Sequence, residues 1–275
     1  MPRRPAKPRR SGRDTRKPRP DGPLELRNPH TAYEALRRRP SDAVCLRVTG
    51  EGGPAWARVV ELVERNAIRI DRSDPSRDQH HGDQHDGVRG PGGRQTGMTL
   101  VIAPPPSAKL NQMLTDTRSD RPGLWLACEQ VQDPRNLGAI FRSAAFFGVR
   151  GVLLTKDRSA SLTSIACDTS AGGCEAIPHA TVGNFARTLG VCRDEYGLRI
   201  VGASEHAEQP IDAIAGPQVD TLLVLGNEEK GLRRLTREHC DALAAVPALG
   251  QIGSLNVSVA AGVLMFALTR GEPSR

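Results

Sequence analysis

The pattern of apolar and polar residues predicts an α/β protein built around a mostly parallel sheet. From Leu124 onward, short and nearly continuous apolar runs alternate with longer segments in which apolar residues recur every three or four positions. The first pattern is typical of buried strands and the second of amphipathic helices. Strands are predicted at residues 123–129, 151–155, 198–204, 221–227 and 243–249, and helices at 137–147, 182–196, 255–269 and shortly after 231. Strands that alternate with helices pair in parallel, which gives the predicted fold class.

A smaller α/β unit is predicted ahead of this sheet, over residues 24–103. Its predicted elements are a helix at 31–39, a strand at 43–48, a helix at 54–66 and strands at 68–70 and 98–103. Three consecutive prolines at Pro104–Pro106 forbid regular structure, so a linker is predicted over residues 104–121, with a short helix around 110–114. The chain is therefore predicted to consist of a basic tail (1–23), a small α/β domain (24–103), a linker (104–121) and a second α/β domain (122–275).

The charge balance indicates which kind of partner the protein binds, and the cysteines indicate its cellular compartment. Lysine and arginine number 38 against 31 acidic residues, for a formal charge of +7, and this excess favours a polyanionic partner, nucleic acid first. The tail at residues 1–23 is rich in Arg, Lys and Pro, which predicts disorder and contact with phosphates. Six scattered cysteines without paired spacing indicate reduced thiols and hence a cytoplasmic protein. No apolar stretch has the length of a membrane span, and the basic N-terminus lacks the apolar segment of a secretory signal.

Two polar residues stand out in the helix predicted after the first long strand. Asn136 stands where it can cap a helix that begins at Leu137, and Arg142 interrupts an otherwise apolar pattern. Because an unpaired buried charge is costly, the Arg142 guanidinium must reach solvent, a carboxylate or an anionic ligand. Taken alone, each residue is equally well explained by an ordinary cap or an ordinary salt bridge.

Two further segments place glycines and polar residues at the carboxyl ends of predicted strands. In LLVLGNEEKGL, residues 222–232, a buried strand runs directly into a Gly-Asn-Glu turn, and glycine there lets backbone groups approach a ligand closely. In open α/β sheets this edge is where ligands bind. In VPALGQIGSLNVSVAAG, residues 246–262, either Ser254 or Asn256 can cap the final helix, which leaves the other polar group available.

A polar loop within the N-terminal unit, between the strands predicted at 68–70 and 98–103, carries three histidines and two aspartates at residues 80–86. Their spacing fits no standard metal site, so no metal site is predicted. The surrounding glycines, aspartates and arginines indicate a solvated segment near nucleic acid.

Taken together and in this order, three segments resemble the motifs of one enzyme family. Asn136–Arg142 has the form N-x-G-x-x-x-R, Leu225–Leu232 has the form L-G-N-E-x-x-G-L, and Ser254–Gly262 reads SLNVSVAAG. Over residues 122–270 the chain thereby resembles the SpoU (TrmH-type) RNA ribose 2′-O-methyltransferases, a branch of the SPOUT superfamily. The SAGG at Ser170–Gly173 also resembles this family's S-A-G-A stretch.

The resemblance extends to the N-terminal part and implies a particular architecture. Residues 28–103 resemble the L30e-like substrate-binding domain that precedes the methyltransferase domain in many members, with HDGV at His85–Val88 where the family often has HQGV. The family fold is a parallel sheet whose C-terminal segment threads through a loop as a deep trefoil knot, a topology that general rules of chain connection do not predict. The resemblance also implies a homodimer, with the knot region at the interface and each active site borrowing from the other chain.

The resemblance further implies that S-adenosylmethionine binds in the knot and that its methyl group passes to a ribose 2′-hydroxyl of RNA. By motif position, its contacts would be Leu225, Gly226, Asn227, Val246, Ile252 and Leu255. Arg142 matches the family's catalytic arginine, and a guanidinium stays protonated, so we expect it to stabilise the developing alkoxide or hold a phosphate rather than accept a proton. The residues that would orient this arginine and the ribose are Asn136, Glu228, Ser254 and Asn256.

The two-domain layout favours rRNA as the substrate, with tRNA as the close alternative and guanosine as the target base that family members suggest. A different hypothesis is a non-catalytic RNA-binding or ribosome-assembly protein that retains the fold. A dinucleotide-binding enzyme also fits the α/β pattern, but the sequence lacks the G-x-G-x-x-G fingerprint.

Overall fold

The structure, a computed structural model, describes residues 22–72, 97–115, 122–214 and 219–269. They form a four-stranded sheet followed along the chain by a six-stranded sheet. The predicted N-terminal tail, the His80–His85 loop and the HDGV segment lie outside these described residues, as does part of the predicted linker. Within the described ranges, no helix has the length and apolar character needed to cross a membrane.

The first sheet is built from residues 24–102. Its elements are β1 (Leu24–Leu26), α1 (Pro29–Arg38), β2 (Ala43–Val48), α2 (Ala57–Arg65), β3 (Ile70–Arg72) and β4 (Met98–Ile102). The strand order is β1-β4-β2-β3, with β4 antiparallel to β1 and β2 and with β2 parallel to β3. The predicted helices and strands of this part are confirmed to within a few residues. The additional strand β1 has only three residues, too few to show a periodic pattern.

The second sheet begins after a short helix, α3 (Leu110–Thr115). Its elements are β5 (Leu124–Cys128), α4 (Pro134–Phe146), β6 (Val152–Thr155), α5 (Ser164–Ser170), α6 (Gly173–Ala176), β7 (His179–Val182), α7 (Phe185–Asp194), β8 (Arg199–Ala203), α8 (Ile211–Ile214), β9 (Thr221–Leu225), α9 (Arg234–Glu238), β10 (Ala242–Ala244) and α10 (Val257–Thr269). The strand order is β10-β8-β9-β5-β6-β7, and every pairing is parallel. This confirms the predicted α/β fold with a mostly parallel sheet. Strand β7 and the helix pair α5–α6 were not predicted.

Both faces of the second sheet are buried. In β5, Trp125 and Ala127 pack with α7 and α3 on one face, while Leu126 and Cys128 pack with α4 and α10 on the other. All five residues of β5 are buried, as expected for a central parallel strand covered by helices on both sides. Side chains of successive strand residues point to opposite faces, so this short apolar run contributes to both layers of the core.

The connections diverge at the centre of the second sheet, next to β5. From β5 the chain proceeds to β6 and β7 on one side, whereas β9, β8 and β10 lie on the other. The loops that follow the neighbouring strands β5 and β9 therefore leave the carboxyl edge in different directions. Such a topological switch point opens a crevice at the carboxyl edge, and it is where open α/β sheets bind ligands.

Candidate active site

A closed glycine loop follows β9 at the switch point. Backbone hydrogen bonds join Asn227 and Gly231 in both directions, at 3.1 and 2.9 Å. A Cβ atom on Gly226 would lie 2.4 Å from the carbonyl carbon of Gly231, so only glycine fits there. The Asn227 side chain accepts hydrogen bonds from the N–H groups of Glu229 and Lys230 and donates one to the carbonyl of Gln130. The loop is therefore held rigidly against the end of β5.

The carboxylate of Glu228 is held by donors from three parts of the chain. It accepts hydrogen bonds from the backbone N–H groups of Gln132 and Asp133, at 3.2–3.4 Å. It also accepts one from the amide of Asn136, at 3.2 Å, and one from the amide of Asn227, at 3.3 Å. The first two donors stand at the N-terminus of α4, whose partial positive charge favours a carboxylate.

A second amide contact extends this arrangement to the last helix. The Asn256 side chain donates to Oδ1 of Asn136 at 3.0 Å, and its own Oδ1 accepts from the N–H and the hydroxyl of Ser258. Asn256 therefore caps α10 and contacts α4 at the same time. We call Asn136, Glu228 and Asn256 the amide–carboxylate cluster.

The expectation that Asn136 caps a helix at Leu137 is wrong. Helix α4 begins at Pro134, and the side chain of Asp133 caps it by accepting from the N–H of Arg135 at 2.8 Å. A proline is well tolerated at the first helical position because it has no N–H group to leave unpaired. Asn136 lies inside the first turn, which leaves its amide available for the cluster.

A cavity of about 440 Å³ lies at the carboxyl edge of β8, β9 and β10. All six predicted cofactor contacts line it: Leu225, Gly226, Asn227, Val246, Ile252 and Leu255. Of the predicted orienting residues, Glu228 and Ser254 also line it. The lining further includes Glu205, His206, Lys230 and Arg237, which the sequence analysis did not single out. Glu205, His206 and Lys230 lie in loops and Arg237 lies in α9. No local spacing relates these four residues, so only the fold brings them to the cavity.

Arg142 is not part of the cavity wall. It lies six residues after Asn136 in α4, which places it about 120° around the helix axis and about 9 Å along it. The residue is exposed, and within the described parts of the chain its side chain has no hydrogen bond or ion pair. The structure thus unites Asn136, Glu228 and Asn256 but leaves Arg142 outside this group.

The sequence analysis missed a buried carboxylate, Glu129, that holds the elements around the site together. Glu129 is 2 % exposed and directly follows β5. It accepts hydrogen bonds from the hydroxyl of Thr236, at 2.7 Å, and from the N–H of Arg233, at 2.9 Å. Since a buried carboxylate must be paired, these bonds tie α9 to the end of β5. The available signal was its position at the carboxyl end of a fully apolar strand.

Cys128, the last residue of β5, shows no sign of reactivity. It is 1 % exposed, and burial raises the pKa of its thiol to about 12. The thiolate is the nucleophilic form of cysteine, so Cys128 acts as a small apolar core residue. Covalent catalysis by this side chain is therefore not part of the site's chemistry.

Comparison with known proteins assigns the family. The family model that matches residues 123–266 is described as the SpoU rRNA methylase family. The chain belongs to the SpoU rRNA methylase family. One relative, an uncharacterized tRNA/rRNA methyltransferase of Mycolicibacterium smegmatis, is 38 % identical over 258 residues, which cover 90 % of this chain and 76 % of that protein.

Solved SpoU-type structures share the fold. The SpoU methyltransferase AviRb from Streptomyces viridochromogenes, in complex with AdoMet, superposes with a TM-score of 0.71 at 19 % identity, covering 90 % of both chains. An RNA 2′-O ribose methyltransferase superposes with a TM-score of 0.68 at 21 % identity, covering 90 % of this chain and 88 % of that one. At this level of identity the likeness shows the fold, which agrees with the six-stranded sheet described above.

Proposed function

We propose that this SpoU family member transfers a methyl group from S-adenosylmethionine to a ribose 2′-hydroxyl of structured RNA, with rRNA as the first substrate class and tRNA as the second. The observation that carries the proposal is that Glu228 belongs both to the cavity wall and to the amide–carboxylate cluster. The residues predicted to contact the cofactor and the amide–carboxylate cluster therefore lie at one edge of the sheet. Family membership and the net charge of +7 support an RNA substrate, and six free cysteines support a cytoplasmic location.

The cavity suits S-adenosylmethionine in size and in chemistry. Its volume of about 440 Å³ lies within the range of roughly 300–1,000 Å³ that is usual for small-molecule sites. Gly226 leaves the backbone uncovered, and Leu225, Val246 and Ile252 offer apolar surface, which fits an adenosine group bound through main-chain groups and shape. Lys230 and Arg237 add cations that would suit a carboxylate. The resemblance implies that this cavity lies in a trefoil knot, and we propose that topology for this chain.

The polar residues would position the ribose and stabilise charge. When bound, the cofactor supplies a methyl group carried on a positively charged sulfur. An Arg142 guanidinium beside the 2′-oxygen would stabilise the alkoxide as the hydroxyl loses its proton to a phosphate oxygen of the RNA or to water. Asn136, Ser254 and Asn256 would orient the sugar and the arginine. Glu228 is a poor candidate for proton acceptor because four donors already occupy its carboxylate, which has about four lone-pair sites.

A second copy of the chain would complete the site. Helix α10, VSVAAGVLMFALT, has no charged residue, and a helix that is apolar on all sides is normally buried on all sides. Yet Val259, Val263 and Phe266 are 37–54 % exposed, and Phe146 at the end of α4 is 84 % exposed. We infer that this apolar face pairs with the same face of a second copy, as an isologous interface requires. The pairing would bring an Arg142 side chain to the cavity of the other copy.

The test is methyl transfer by the purified protein. With methyl-labelled S-adenosylmethionine and unmodified rRNA or tRNA, we expect label in one nucleoside, identified as a 2′-O-methyl nucleoside by mass spectrometry. RNA from cells that lack the gene should have lost the same modification. If no ribose methylation is lost and no RNA accepts label, the proposal fails. Undetectable binding of S-adenosylmethionine by calorimetry would favour a non-catalytic RNA-binding protein that retains the fold.

A further inference from the structure

The N-terminal domain is bound to the second domain through α5. The Asp168 carboxylate accepts hydrogen bonds from the backbone N–H groups of Arg27, at 2.9 and 3.2 Å, and of Asn28, at 3.1 Å. The Asn28 amide donates to the carbonyl of Asp168 at 2.9 Å, and the hydroxyl of the fully buried Thr31 donates to the carbonyl of Cys167 at 3.1 Å. Four side-chain and main-chain groups at the start of α1 are thus fixed by two consecutive residues of α5.

A buried ion pair fixes the other end of α1 to α6. The guanidinium of Arg39 donates two parallel hydrogen bonds to the carboxylate of Glu175, both at 2.8 Å. The Arg39 side chain is 10 % exposed and that of Glu175 is 2 % exposed. Arg39 also donates to the carbonyl of Ala103, at the end of β4, so the same side chain joins both domains. A bidentate pair of this kind restricts orientation as well as distance.

The elements that receive these contacts pack directly against the helix of the proposed active site. A Cβ on Gly138 in α4 would lie 2.4 Å from the carbonyl oxygen of Ala166 in α5, and a Cβ on Gly173 in α6 would lie 2.6 Å from the carbonyl oxygen of Phe141 in α4. Gly172, with a positive φ of 98°, leaves room for Glu34 of α1. Glycine thus lets the backbones of the α5–α6 pair and of α4 meet, and it leaves room for a side chain of α1 on the other side. The helices α1, α5–α6 and α4 therefore form consecutive layers in close contact.

We propose that the N-terminal domain is a fixed arm whose distance from the active site selects the nucleotide to be methylated, and that Arg39, Asp168 and Glu175 hold this distance. The inference rests on the proposed function. If the arm were joined only by a flexible linker of the predicted 18 residues, 104–121, its position would vary over roughly 20–25 Å. This distance spans several nucleotides. The contacts of α1 with α5 and α6 remove this freedom. RNA held by exposed arginines of the arm, such as Arg37 and Arg69, 50 % and 70 % exposed, would then present one nucleotide to the Asn136 side of α4.

Variants that weaken the contacts of Arg39, Asp168 and Glu175, which we call the domain clamp, test the inference in the full-length protein. Glu175→Gln keeps the shape of the side chain but removes the buried carboxylate that pairs with Arg39, which leaves its guanidinium only the more exposed Asp42 at 3.3 Å. Asp168→Asn removes the charge that holds Arg27 and Asn28. We expect amide hydrogen exchange at Arg27 and Asn28 to rise about tenfold or more as the interface opens more often. The same variants should raise KM for RNA and spread methylation over neighbouring nucleotides, while calorimetry gives an unchanged affinity for S-adenosylmethionine.

Two further variants separate positioning from general loss of structure. Asp194→Asn removes an exposed ion pair to Arg193 on α7, outside the interface of α1 with α5 and α6, and should change neither exchange nor site selection. Combining Glu175→Gln with Arg39→Gln replaces the ion pair by a neutral amide pair and should restore much of the selectivity that the single variant loses.

The possible results distinguish this inference from the proposed function. Unchanged exchange at Arg27 and Asn28 in both single variants would show that these residues do not clamp the domain. Faster exchange with an unchanged methylation pattern and KM would refute the fixed arm as the selector. If the wild-type protein methylates no RNA, the proposed function fails together with the selection of a nucleotide, whereas the exchange measurement still decides whether the clamp exists.

Discussion

At the scale of single residues, the candidate site depends on side chains that serve two neighbours at once. Asn256 caps α10 and donates to Asn136, and Glu228 lines the cavity while it accepts from the N-terminus of α4. Gly226 has the opposite role, because the absence of its side chain lets two backbone segments meet. Substitutions at such positions are therefore expected to affect function through geometry more than through charge.

Gly226→Ala should weaken cofactor binding. The added Cβ would clash with the backbone of Gly231 and Leu232, at 2.4 and 2.6 Å, and no rotation of a side chain relieves such a contact. We expect calorimetry to show affinity for S-adenosylmethionine reduced by about tenfold or more, equivalent to about 1.4 kcal/mol. Gly253→Ala is the matched control, since Gly253 lines the same cavity and an added Cβ meets nothing within 4 Å. Equal affinities for the two variants would contradict the role of Gly226.

Arg142→Lys should lower turnover without lowering cofactor affinity. Lysine keeps the positive charge but lacks the planar fork that can hold an oxygen and a phosphate together. We expect single-turnover methyl transfer to fall by about 10²-fold, the usual cost of losing one oxyanion donor. Arg193→Lys, at an exposed arginine on α7 paired with Asp194, should leave the rate unchanged. If Arg142→Lys transfers the methyl group as fast as the wild type, the planar shape of the guanidinium is not needed for turnover.

At the scale of elements, α4 contributes both to the amide–carboxylate cluster and to the apolar face that we infer to pair with a second chain. Its first turn contributes Asn136 to the amide–carboxylate cluster, its buried face packs on α5 and α6, and its last turn carries the exposed Phe146. Phe147, the next residue, contacts Phe266 of α10 with ring centroids 6.4 Å apart. The apolar face formed by α4 and α10 thus lies on the same two helices that hold the cluster, so pairing of two chains and assembly of the site are expected to be coupled.

A charge on the apolar face of α10 should prevent pairing of two chains. Val259 is 51 % exposed, and Val259→Asp would place a carboxylate in the inferred interface, where burying an unpaired charge is costly. Analytical ultracentrifugation should show a dimer for the wild type and a monomer for the variant, with methyl transfer lost alongside the dimer. Leu235→Asp on α9, at an equally exposed apolar residue (51 %), should remain dimeric. A wild-type monomer at micromolar concentration would refute the interface.

At the scale of the whole molecule, the two sheets share one continuous hydrophobic core. Leu26, Leu36 and Ile102 of the N-terminal domain belong to the same buried cluster as Phe141 and Leu264 of the second domain. The first part of the predicted linker also packs on the second domain: Ala108 donates to the carbonyl of His179 at 2.7 Å, and the Trp125 indole donates to the carbonyl of Met113 at 3.3 Å. We therefore expect the two domains to unfold together.

The buried His179 should make the stability of the whole molecule depend on pH. His179 is 6 % exposed, and burial lowers its pKa from 6.5 to about 4. The unfolded chain gains this proton below pH 6.5, but the folded chain gains it only near pH 4. Stability is therefore lost as pH falls through this window, by up to about 3 kcal/mol.

Urea unfolding of wild type and His179→Leu at a series of pH values checks this expectation. The variant cannot take up a proton at this position, so the difference in the free energy of unfolding between the two proteins should change steadily between pH 6.5 and 4. His30→Gln, at an exposed histidine of α1, should follow the wild type. A constant difference between wild type and His179→Leu over this range would show that His179 does not carry the effect.

Local pattern was sufficient to predict much of the molecule. The strands β2, β5, β6, β8 and β9 lie where apolar runs predicted them, because burial and backbone geometry repeat within a few residues. The motif glycines and polar residues at the end of β9 and the start of α10 were recognisable for the same reason. The short helices α5 and α6 escaped prediction because segments of seven and four residues are too short for a helical period to show.

Only the tertiary structure decided which polar groups meet. Asn136 contacts Glu228 across 92 positions and Asn256 across 120, and no local pattern carries information over such separations. The cap of α4 was likewise assigned to Asp133 rather than Asn136 by the way the chain leaves β5. The packing of α5 and α6 between α1 and α4, and the position of Arg142 outside the cavity of its own chain, follow from how complete elements pack. The sequence by itself determined the elements and their chemistry, whereas the contacts between elements were determined by the fold.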